Sequence, residues 1–192
     1  MVYINLHAHS NYSDGVFSPD EVVKFAKSRN VRYLSLTDHD NVAGYEVLDE
    51  KLIEGIEFIT GVEISTKEHD YLHILGYKVN TTEISFKKNL AIWRERRVLR
   101  IKEIIRRLNK LGIDISFEEL NINETSTLGR PHIADLLVRK GYGFSRTEVF
   151  HKYLIEGCYA YVEPMGPSMK EAIDAIKNAN GFAVLAHPST IE

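Results

Sequence analysis

Side chains that can bind metal ions lie at or beside five short apolar runs of this chain, and this recurrence restricts the folds it can adopt. The side chains are those of His7, His9, Asp14, His39, Glu63, His73 and His187. His7 and His9 directly follow the first run, and His187 directly follows the last. In barrels and open sheets of parallel strands, the carboxyl ends of the strands meet at one site. The recurrence therefore predicts an α/β fold in which these side chains converge on one pocket.

The apolar runs alternate with segments that have a helical pattern, which is typical of a parallel α/β fold. The predicted strands are residues 2–6, 33–36, 58–64, 72–79 and 182–186. No long helix separates the third strand from the fourth, so these two are predicted to pair antiparallel. Capping boxes that begin at Ser18 and Ser168 predict helices ending near Ser28 and Asn180.

Residues 86–165 have a different pattern and are predicted to form a helical insertion. Apolar residues recur at spacings of three and four along residues 86–111, as they do on one face of a long amphipathic helix. Arg97 occupies one position of this apolar stripe. Shorter helices are predicted at residues 117–120, 131–140 and 147–154. The α/β domain is therefore predicted to comprise residues 1–85 and 166–192.

The types of side chain indicate which metals such a site would select. Imidazoles combined with carboxylates, without a thiolate, suit zinc, manganese or iron and exclude an iron–sulfur cluster. A glutamate among several histidines can bridge two ions through its two oxygens. Ions about 3.5–4 Å apart can stabilise both the attacking and the leaving oxygen of a phosphoryl displacement. The pattern therefore favours a site with more than one divalent cation.

Each of these features also has an ordinary structural explanation. A His-x-His sequence can arise by chance in a strand, Glu63 can cap a turn, and residues 38–40 can form a solvated loop. The metal hypothesis is preferred because five separate runs carry ligand-forming side chains. His69 and His151 lack this context and are predicted to be surface or packing residues.

The composition excludes several other classes of protein. The net charge of −3 gives no overall basic field that would favour nucleic acid, so only a local basic patch could do so. The single cysteine, Cys158, excludes an intramolecular disulfide framework. No leader sequence or membrane-spanning run is evident, so a cytoplasmic protein without a membrane or protein partner is expected.

With these residues in view, the chain resembles the PHP (polymerase and histidinol phosphatase) superfamily. The resemblance is carried by Asn5-Leu6-His7-Ala8-His9-Ser10, Ser13-Asp14-Gly15, Leu36-Thr37-Asp38-His39-Asp40, Gly61-Val62-Glu63-Ile64-Ser65, His73-Ile74-Leu75-Gly76-Tyr77 and Leu185-Ala186-His187-Pro188. These segments span the whole chain in the order of the family. Within the superfamily, the insertion segment Gly129-Arg130-Pro131-His132-Ile133-Ala134 resembles the branch of 3′,5′-bisphosphonucleotide phosphatases and 5′-to-3′ exoribonucleases.

The resemblance implies a distorted (β/α)7 barrel with a centre of two or three divalent ions, Mn²⁺, Zn²⁺ or Fe²⁺. It implies that His7 and His9 bind a first ion and that Glu63 bridges it to a second. His73 and His187 would complete the shell of the second ion, and Glu63 and His187 are the implied catalytic residues. Asp14 and His39 would hold a third ion, which binds the substrate phosphate.

The resemblance also implies substrate-binding roles for Arg130 and His132 in the insertion. A guanidinium group matches phosphate oxygens in a bidentate manner, and His132 would assist Arg130 or serve as a ligand. Without the resemblance, Arg130-Pro131-His132 indicates only the start of a helix, because proline is favoured at the first helical position.

The chain departs from the family pattern at its end. The family has an Asp-x-His ligand pair after its last strand, and this sequence ends at Glu192 without such a pair. The strands predicted here are also too few to close a seven-stranded barrel. We therefore expect either a piece of a longer protein that lacks the last barrel strands or a divergent short form.

Three functions remain open at the level of the sequence. The first is hydrolysis of 3′,5′-bisphosphonucleotides or trimming of the 5′ ends of short RNA. The second is hydrolysis of another small phosphoester, such as histidinol phosphate, and the third is a non-catalytic metal-binding accessory domain. The basic helix at residues 94–110 discriminates between the first two. It favours a polyanionic substrate if it faces the metal pocket, whereas a solvated face would leave the question open.

Overall fold

The computed structural model describes residues 2–120 and 125–190, which omits small parts of both predicted regions. The strands are β1 Tyr3–Ala8, β2 Val31–Leu36, β3 Glu57–Phe58, β4 Gly61–Ser65, β5 His73–Tyr77 and β6 Phe182–Leu185. The α-helices are α1 Pro19–Ser28, α2 Gly44–Val47, α3 Ile84–Lys110, α4 Arg130–Arg139, α5 Arg146–Val149 and α6 Met169–Asn178. Within the described residues, no helix is both long enough and apolar enough to cross a membrane.

The described strands form two sheets of three strands each. The first sheet has the order β1-β2-β3 and is parallel. The second has the order β4-β5-β6 and is antiparallel. An isolated parallel bridge between His39 and Glu63 joins the two sheets. The mixed α/β class is therefore confirmed, and so is the antiparallel pairing of β4 with β5. The seven-stranded barrel stays a prediction.

The prediction of one strand over residues 58–64 is wrong, because this segment contributes to both sheets. The Ile59 N–H donates to the Leu34 carbonyl in the first sheet, whereas Gly61 pairs with Tyr77 in the second. The chain changes sheets at Gly61, where an added Cβ would lie 3.0 Å from the Leu36 carbonyl oxygen and 2.9 Å from Thr37 Cγ2. Only glycine lets the backbone pass this close to β2.

The helix signals at the two ends of the α/β region are confirmed. Ser18 and Glu21 form a complete capping box at the start of α1, and Ser168 and Glu171 form another at the start of α6. The helix predicted at residues 117–120 is a short 3₁₀ turn, Glu118–Leu120. The one predicted at residues 147–154 is split into α5 and a π-helical turn, Phe150–Leu154.

The long helix α3 contributes to two hydrophobic clusters. Phe86, Leu90 and Trp93 in its first half pack with β4, β5 and α6. Its second half, from Ile101 onward, packs with α4 and the segments after it in a separate cluster that extends to Val162. The predicted insertion thus has its own core and is attached through a helix that the two clusters share. The division at residues 86 and 165 stays a prediction.

Candidate metal centre

The side chain of Glu63 lies at the centre of a group of imidazoles. Glu63 is on β4 and its side chain is 2% exposed. Its Oε2 atom lies 3.0 Å from His7 Nε2, 3.0 Å from His9 Nε2 and 3.4 Å from His39 Nδ1. Its Oε1 atom lies 2.9 Å from His73 Nδ1 and 2.9 Å from His187 Nε2. Each carboxylate oxygen therefore faces a different set of histidines.

Both sheets contribute to this group, but not in the way that a purely parallel sheet would. His7 lies near the end of β1 and His9 directly after it, so both approach from the carboxyl end of a parallel strand. His73 is the first residue of β5. It reaches the same place because β5 runs antiparallel to β4, which brings the start of β5 beside the end of β4. His187 follows β6, which is antiparallel to β5.

Asp14 extends the group on one side. Its Oδ1 atom lies 2.9 Å from His9 Nδ1, and its Oδ2 atom lies 3.8 Å from His39 Nε2. The described part of the chain contains three sets of three potential ligands, and within each set the ligand atoms lie within 4.8 Å of one another. These sets are His7, His9 and Glu63; His9, Asp14 and His39; and His39, Glu63 and His73.

The buried carboxylate of Asp38 fixes the loop that carries His9 and Asp14. It accepts hydrogen bonds from the Ser10 N–H (2.8 Å), the Ser10 hydroxyl (2.6 Å) and the Ser13 hydroxyl (2.6 Å). Burial raises the pKa of Asp38, and these three hydrogen bonds oppose that shift. Because Ser10 directly follows His9 and Ser13 directly precedes Asp14, Asp38 holds the backbone between these two potential ligands in place.

The electrostatics of the group favour bound positive charge. Burial raises the pKa of Glu63, but the charge of His39 and the hydrogen bonds with His7, His73 and His9 outweigh it, so the pKa is lowered. Burial lowers the pKa of His9, yet its interactions with Asp14 and Glu63 raise it to about 10 overall. Burial instead lowers the pKa of His39. The carboxylates of Glu63 and Asp14 thus favour positive charge at the His9 edge of the group, where a cation can take the place of a proton.

The donor set fits divalent cations. It offers imidazole nitrogens and carboxylate oxygens, with Glu63 able to place one oxygen on each of two ions. Borderline ions such as zinc, manganese and iron accept this combination. Cys158, the single cysteine, donates to the carbonyl of His151 and is absent from the three sets.

The remaining histidines have other surroundings. His69 accepts a hydrogen bond from the Tyr71 N–H at 3.2 Å in the turn before β5, and His151 is exposed. We expect His69→Asn and His151→Asn to leave the number of bound metal ions per protein unchanged in elemental analysis, because neither ring is near Glu63 in the described contacts. A drop in metal content for either variant would show that the partition of the histidines is wrong.

A cavity of about 210 Å³ opens beside the metal-binding group. Its lining includes Asp14, His39 and His73. The lining also includes three arginines, Arg97, Arg100 and Arg130, together with the apolar side chains of Ile101, Leu128, Pro131, Phe150, Pro164 and Met165. The cavity therefore joins the potential metal ligands to a wall that is both cationic and apolar.

Arg97 is a site residue that the sequence argument did not assign. It donates from Nε to Asp40 Oδ2 at 2.5 Å, from Nη1 to the Leu128 carbonyl at 3.1 Å, and from Nη2 to the Ser65 hydroxyl. These bonds tie α3 to the end of β4 and to the loop that carries His39. The position of Arg97 within the apolar stripe of α3 was the sequence feature that could have indicated a role at the site.

The basic helix is divided between the cavity and solvent. Arg97 and Arg100 line the cavity, and Arg94 donates to the Asp40 carbonyl at 2.9 Å. Arg106 and Arg107 pair with Glu103 outside the cavity lining, with Arg106 exposed and Arg107 also donating to the Tyr161 carbonyl. The part of the helix nearest the metal-binding group thus faces the pocket, as a polyanionic substrate would require.

Arg130 and His132 occupy different positions. Arg130 lines the cavity, with its side chain 11% exposed. His132 accepts from the Gly129 N–H through Nδ1 at 3.1 Å, and its Nε2 lies 3.1 Å from the Ser13 carbonyl oxygen. A neutral ring protonated on Nε2 satisfies both contacts. His132 therefore ties α4 to the loop that carries Asp14, and its substrate role stays a prediction.

The fold and the site together define a mixed α/β protein whose two sheets gather imidazoles and carboxylates able to hold divalent cations. The PHP domain family matches residues 5–182. The chain belongs to this family.

Curated relatives and solved structures agree with this membership. The chain is 35% identical over 192 residues to a 5′-3′ exoribonuclease Rnm of Salmonella typhimurium, a match that covers 97% of this chain and 66% of the relative. It is 34% identical to a 3′,5′-nucleoside bisphosphate phosphatase of Chromobacterium violaceum, covering 98% of this chain and 67% of the relative. It spans about two thirds of the length of these relatives.

A solved structure from Bifidobacterium adolescentis, provisionally described as a metal-dependent phosphoesterase, superposes with a TM-score of 0.87 at 28% identity. The match covers 96% of this chain and 67% of that one. The fold described above is therefore shared with this solved structure.

Proposed function

We propose that this protein is a divalent-metal-dependent phosphoesterase that hydrolyses 3′,5′-bisphosphonucleotides or trims the 5′ ends of short RNA. The names of the exoribonuclease and the bisphosphate phosphatase to which it is similar support this proposal. The observation that carries it is the cavity, which is lined by both potential metal ligands and three arginines. A substrate with two phosphate groups could meet cations at one end and guanidinium groups at the other.

The contacts of Glu63 support a specific division of the ligands. His7 and His9 approach Oε2 and would hold a first ion, whereas His73 and His187 approach Oε1 and would hold a second. Asp14 and His39 face each other across 3.8 Å and would hold a third ion at the edge of the cavity. In this proposal Glu63 and His187 are catalytic residues because they hold ions that act on the substrate.

The protein supplies position and charge to the reaction. When bound, divalent cations polarise phosphoryl oxygens and lower the pKa of water to near neutrality. Glu63 would fix the spacing of two ions, and Asp38 would hold the backbone of His9 and Asp14 in place through Ser10 and Ser13. Arg130 would bind a phosphate that lies away from the ions, since its side chain faces the same cavity.

The apolar part of the wall favours a nucleotide over a small polar phosphoester. Phe150, Pro131 and Met165 offer surface on which a base or ribose can lie. The cavity, about 210 Å³, is smaller than the roughly 300–1,000 Å³ of pockets for drug-sized ligands. A mononucleotide suits this volume better than several enclosed nucleotides, so a longer RNA would extend into solvent.

The test is a panel of phosphoesters assayed with manganese. We expect kcat/KM for adenosine 3′,5′-bisphosphate or a 5′-phosphorylated oligoribonucleotide to exceed that for p-nitrophenyl phosphate and histidinol phosphate at least tenfold, on the order of one charge-assisted hydrogen bond. Addition of a chelator should abolish all activity.

Two outcomes would contradict the proposal in different ways. Equal rates for all monoesters, or a preference for histidinol phosphate, would favour a general small-molecule phosphatase. Metal binding without turnover of any substrate would favour a non-catalytic accessory domain.

A further inference from the structure

One carboxylate holds two of the three arginines that line the cavity. Asp70 accepts a hydrogen bond from Arg100 Nη2 on Oδ1 at 2.6 Å and from Arg130 Nη1 on Oδ2 at 2.7 Å. The side chain of Asp70 is 7% exposed, and those of the two arginines are 13% and 11% exposed. Arg100 belongs to α3 and Arg130 to α4, so Asp70 joins two helices at the wall of the cavity.

Asp70 lies in the turn between β4 and β5. The turn is closed by hydrogen bonds to the Leu72 carbonyl from the Thr66 N–H (3.2 Å) and the Thr66 hydroxyl (2.6 Å). β4 carries Glu63 and β5 begins with His73. The same hairpin therefore fixes the centre of the metal-binding group and the carboxylate that holds the arginines.

Two partly buried guanidinium groups would repel each other without a shared anion. Burial lowers the pKa of Arg100, and the positive charge of Arg130 lowers it further. The negative charge of Asp70 opposes both effects. Each arginine also has a backbone partner: Arg100 donates to the Val162 carbonyl and Arg130 to the Leu154 carbonyl. Among the described contacts, Arg130 Nε and Nη2 and Arg100 Nη1 make no hydrogen bond, so each arginine keeps donors for an anion.

We propose that Asp70 is a positioning residue that holds Arg100 and Arg130 side by side as one binding unit for the substrate phosphate farther from the metals. This inference rests on the proposed function, because it assigns a place to the second phosphate of that substrate. Asp70 carries a negative charge and does not bind the phosphate itself. Asp70 instead determines where the guanidinium groups of Arg100 and Arg130 contact the phosphate.

A purely structural role for Asp70 makes a different prediction, and the chain offers a matched control. Glu103 also holds two arginines, Arg106 and Arg107, with distances of 2.6 Å and 2.9 Å, but it does not line the cavity. Asp70→Asn and Glu103→Gln each remove one carboxylate charge from such a pair. Loss of stability alone would affect all substrates in a similar way.

The experiment compares both variants with the wild type, using manganese-loaded protein. Adenosine 3′,5′-bisphosphate and p-nitrophenyl phosphate serve as substrates. In Asp70→Asn we expect KM for the bisphosphate to rise about tenfold, as expected for a weakened charge-assisted contact, with kcat within about threefold. KM for the monoester should rise much less, and Glu103→Gln should not change the ratio of the two KM values.

A binding measurement separates failure of this inference from failure of the proposed function. Its probe is the bisphosphonate analogue of adenosine 3′,5′-bisphosphate, in which a P–C bond replaces the ester bond of both phosphates so that neither can be hydrolysed. It is titrated calorimetrically into manganese-loaded protein. Weaker binding in Asp70→Asn but not in Glu103→Gln would support the inference even if no substrate is turned over. Equal affinity in all three proteins, or equal losses for both substrates, would overturn it while leaving the phosphoesterase activity intact.

If Asp70→Asn does not fold, Asp70→Glu replaces it, because the longer side chain keeps the charge but displaces both guanidinium groups. The same selective rise in KM for the bisphosphate is then expected. Wild-type KM values for both substrates in a folded Asp70→Glu protein would overturn the inference.

Discussion

Replacement of Glu63 by Gln is expected to lower the rate of phosphoester hydrolysis at least about 100-fold, as for loss of a principal electrostatic stabiliser. The two oxygens of Glu63 face different histidines, His7 and His9 on one side and His73 and His187 on the other. A glutamine amide retains one oxygen and replaces the other with an NH₂ group, which cannot bind a cation. The change would therefore remove the proposed bridge between two ions at nearly constant side-chain volume.

The measurement is kcat/KM for adenosine 3′,5′-bisphosphate, together with the metal content of the purified protein. We expect Glu63→Gln to bind fewer ions per chain than the wild type, because both histidine sets lose their shared carboxylate. Glu50→Gln, an exposed position in the 3₁₀ turn after α2, is the control for a Glu-to-Gln change elsewhere. Activity within a few-fold of wild type in Glu63→Gln would rule out a centre with two bridged ions.

The potential metal ligands could be found in the sequence because short apolar runs mark strands and strand ends place side chains together. His7, His9 and His39 follow this logic, since β1 and β2 are parallel and end at the same edge. His73 and His187 reach the group through antiparallel pairing instead. The sequence indicated the antiparallel pair by the short connection before residue 72, but the parallel argument alone would have placed His73 at the wrong end of its strand.

The division of residues 58–64 between two sheets could not be predicted from the sequence. The hydrophobic pattern indicates which residues are buried, and apolar residues occur on both sides of Gly61, at Ile59 and Val62. This pattern does not indicate which strand each residue pairs with. The change of partner depends on the close approach of Gly61 to β2, which is a tertiary contact. A glycine inside an apolar run was the local signal of such an approach.

The cationic wall of the cavity was only partly predictable for a similar reason. Arg130 was assigned through the family resemblance, whereas Asp70 and Arg100 were not assigned. Asp70 precedes β5 by three residues and contacts α3 and α4, which are distant in sequence. Charged residues on a helix and in a turn are usually solvated, so their burial against one another becomes visible only once the helices are placed.

Replacement of Arg130 by Ala is expected to lower kcat/KM for a substrate with two phosphates more than kcat/KM for a monoester. Arg130 contacts none of the potential metal ligands in the described hydrogen bonds. Its side chain lines the cavity, and its Nε and Nη2 make no hydrogen bond among the described contacts. Its contact with phosphate would be a charge-assisted hydrogen bond, which contributes about 1.5–3 kcal/mol. Its loss should therefore lower kcat/KM for adenosine 3′,5′-bisphosphate roughly 10- to 150-fold. The number of bound metal ions should stay at the wild-type value.

Comparison of the loss in kcat/KM between the bisphosphate and the monoester shows which phosphate Arg130 binds. Asp70 keeps its bond to Arg100 when Arg130 is removed, so the wall of the cavity retains one ion pair. Arg106→Ala, an exposed arginine on the outer side of α3, serves as the control for loss of an arginine. Equal losses for the bisphosphate and for p-nitrophenyl phosphate would mean that Arg130 binds the reacting phosphate. If neither substrate is affected, the segment Gly129-Arg130-Pro131-His132 acts only as the start of α4. The substrate proposal then reduces to a general phosphoester, because Arg100 is proposed to bind the second phosphate only together with Arg130.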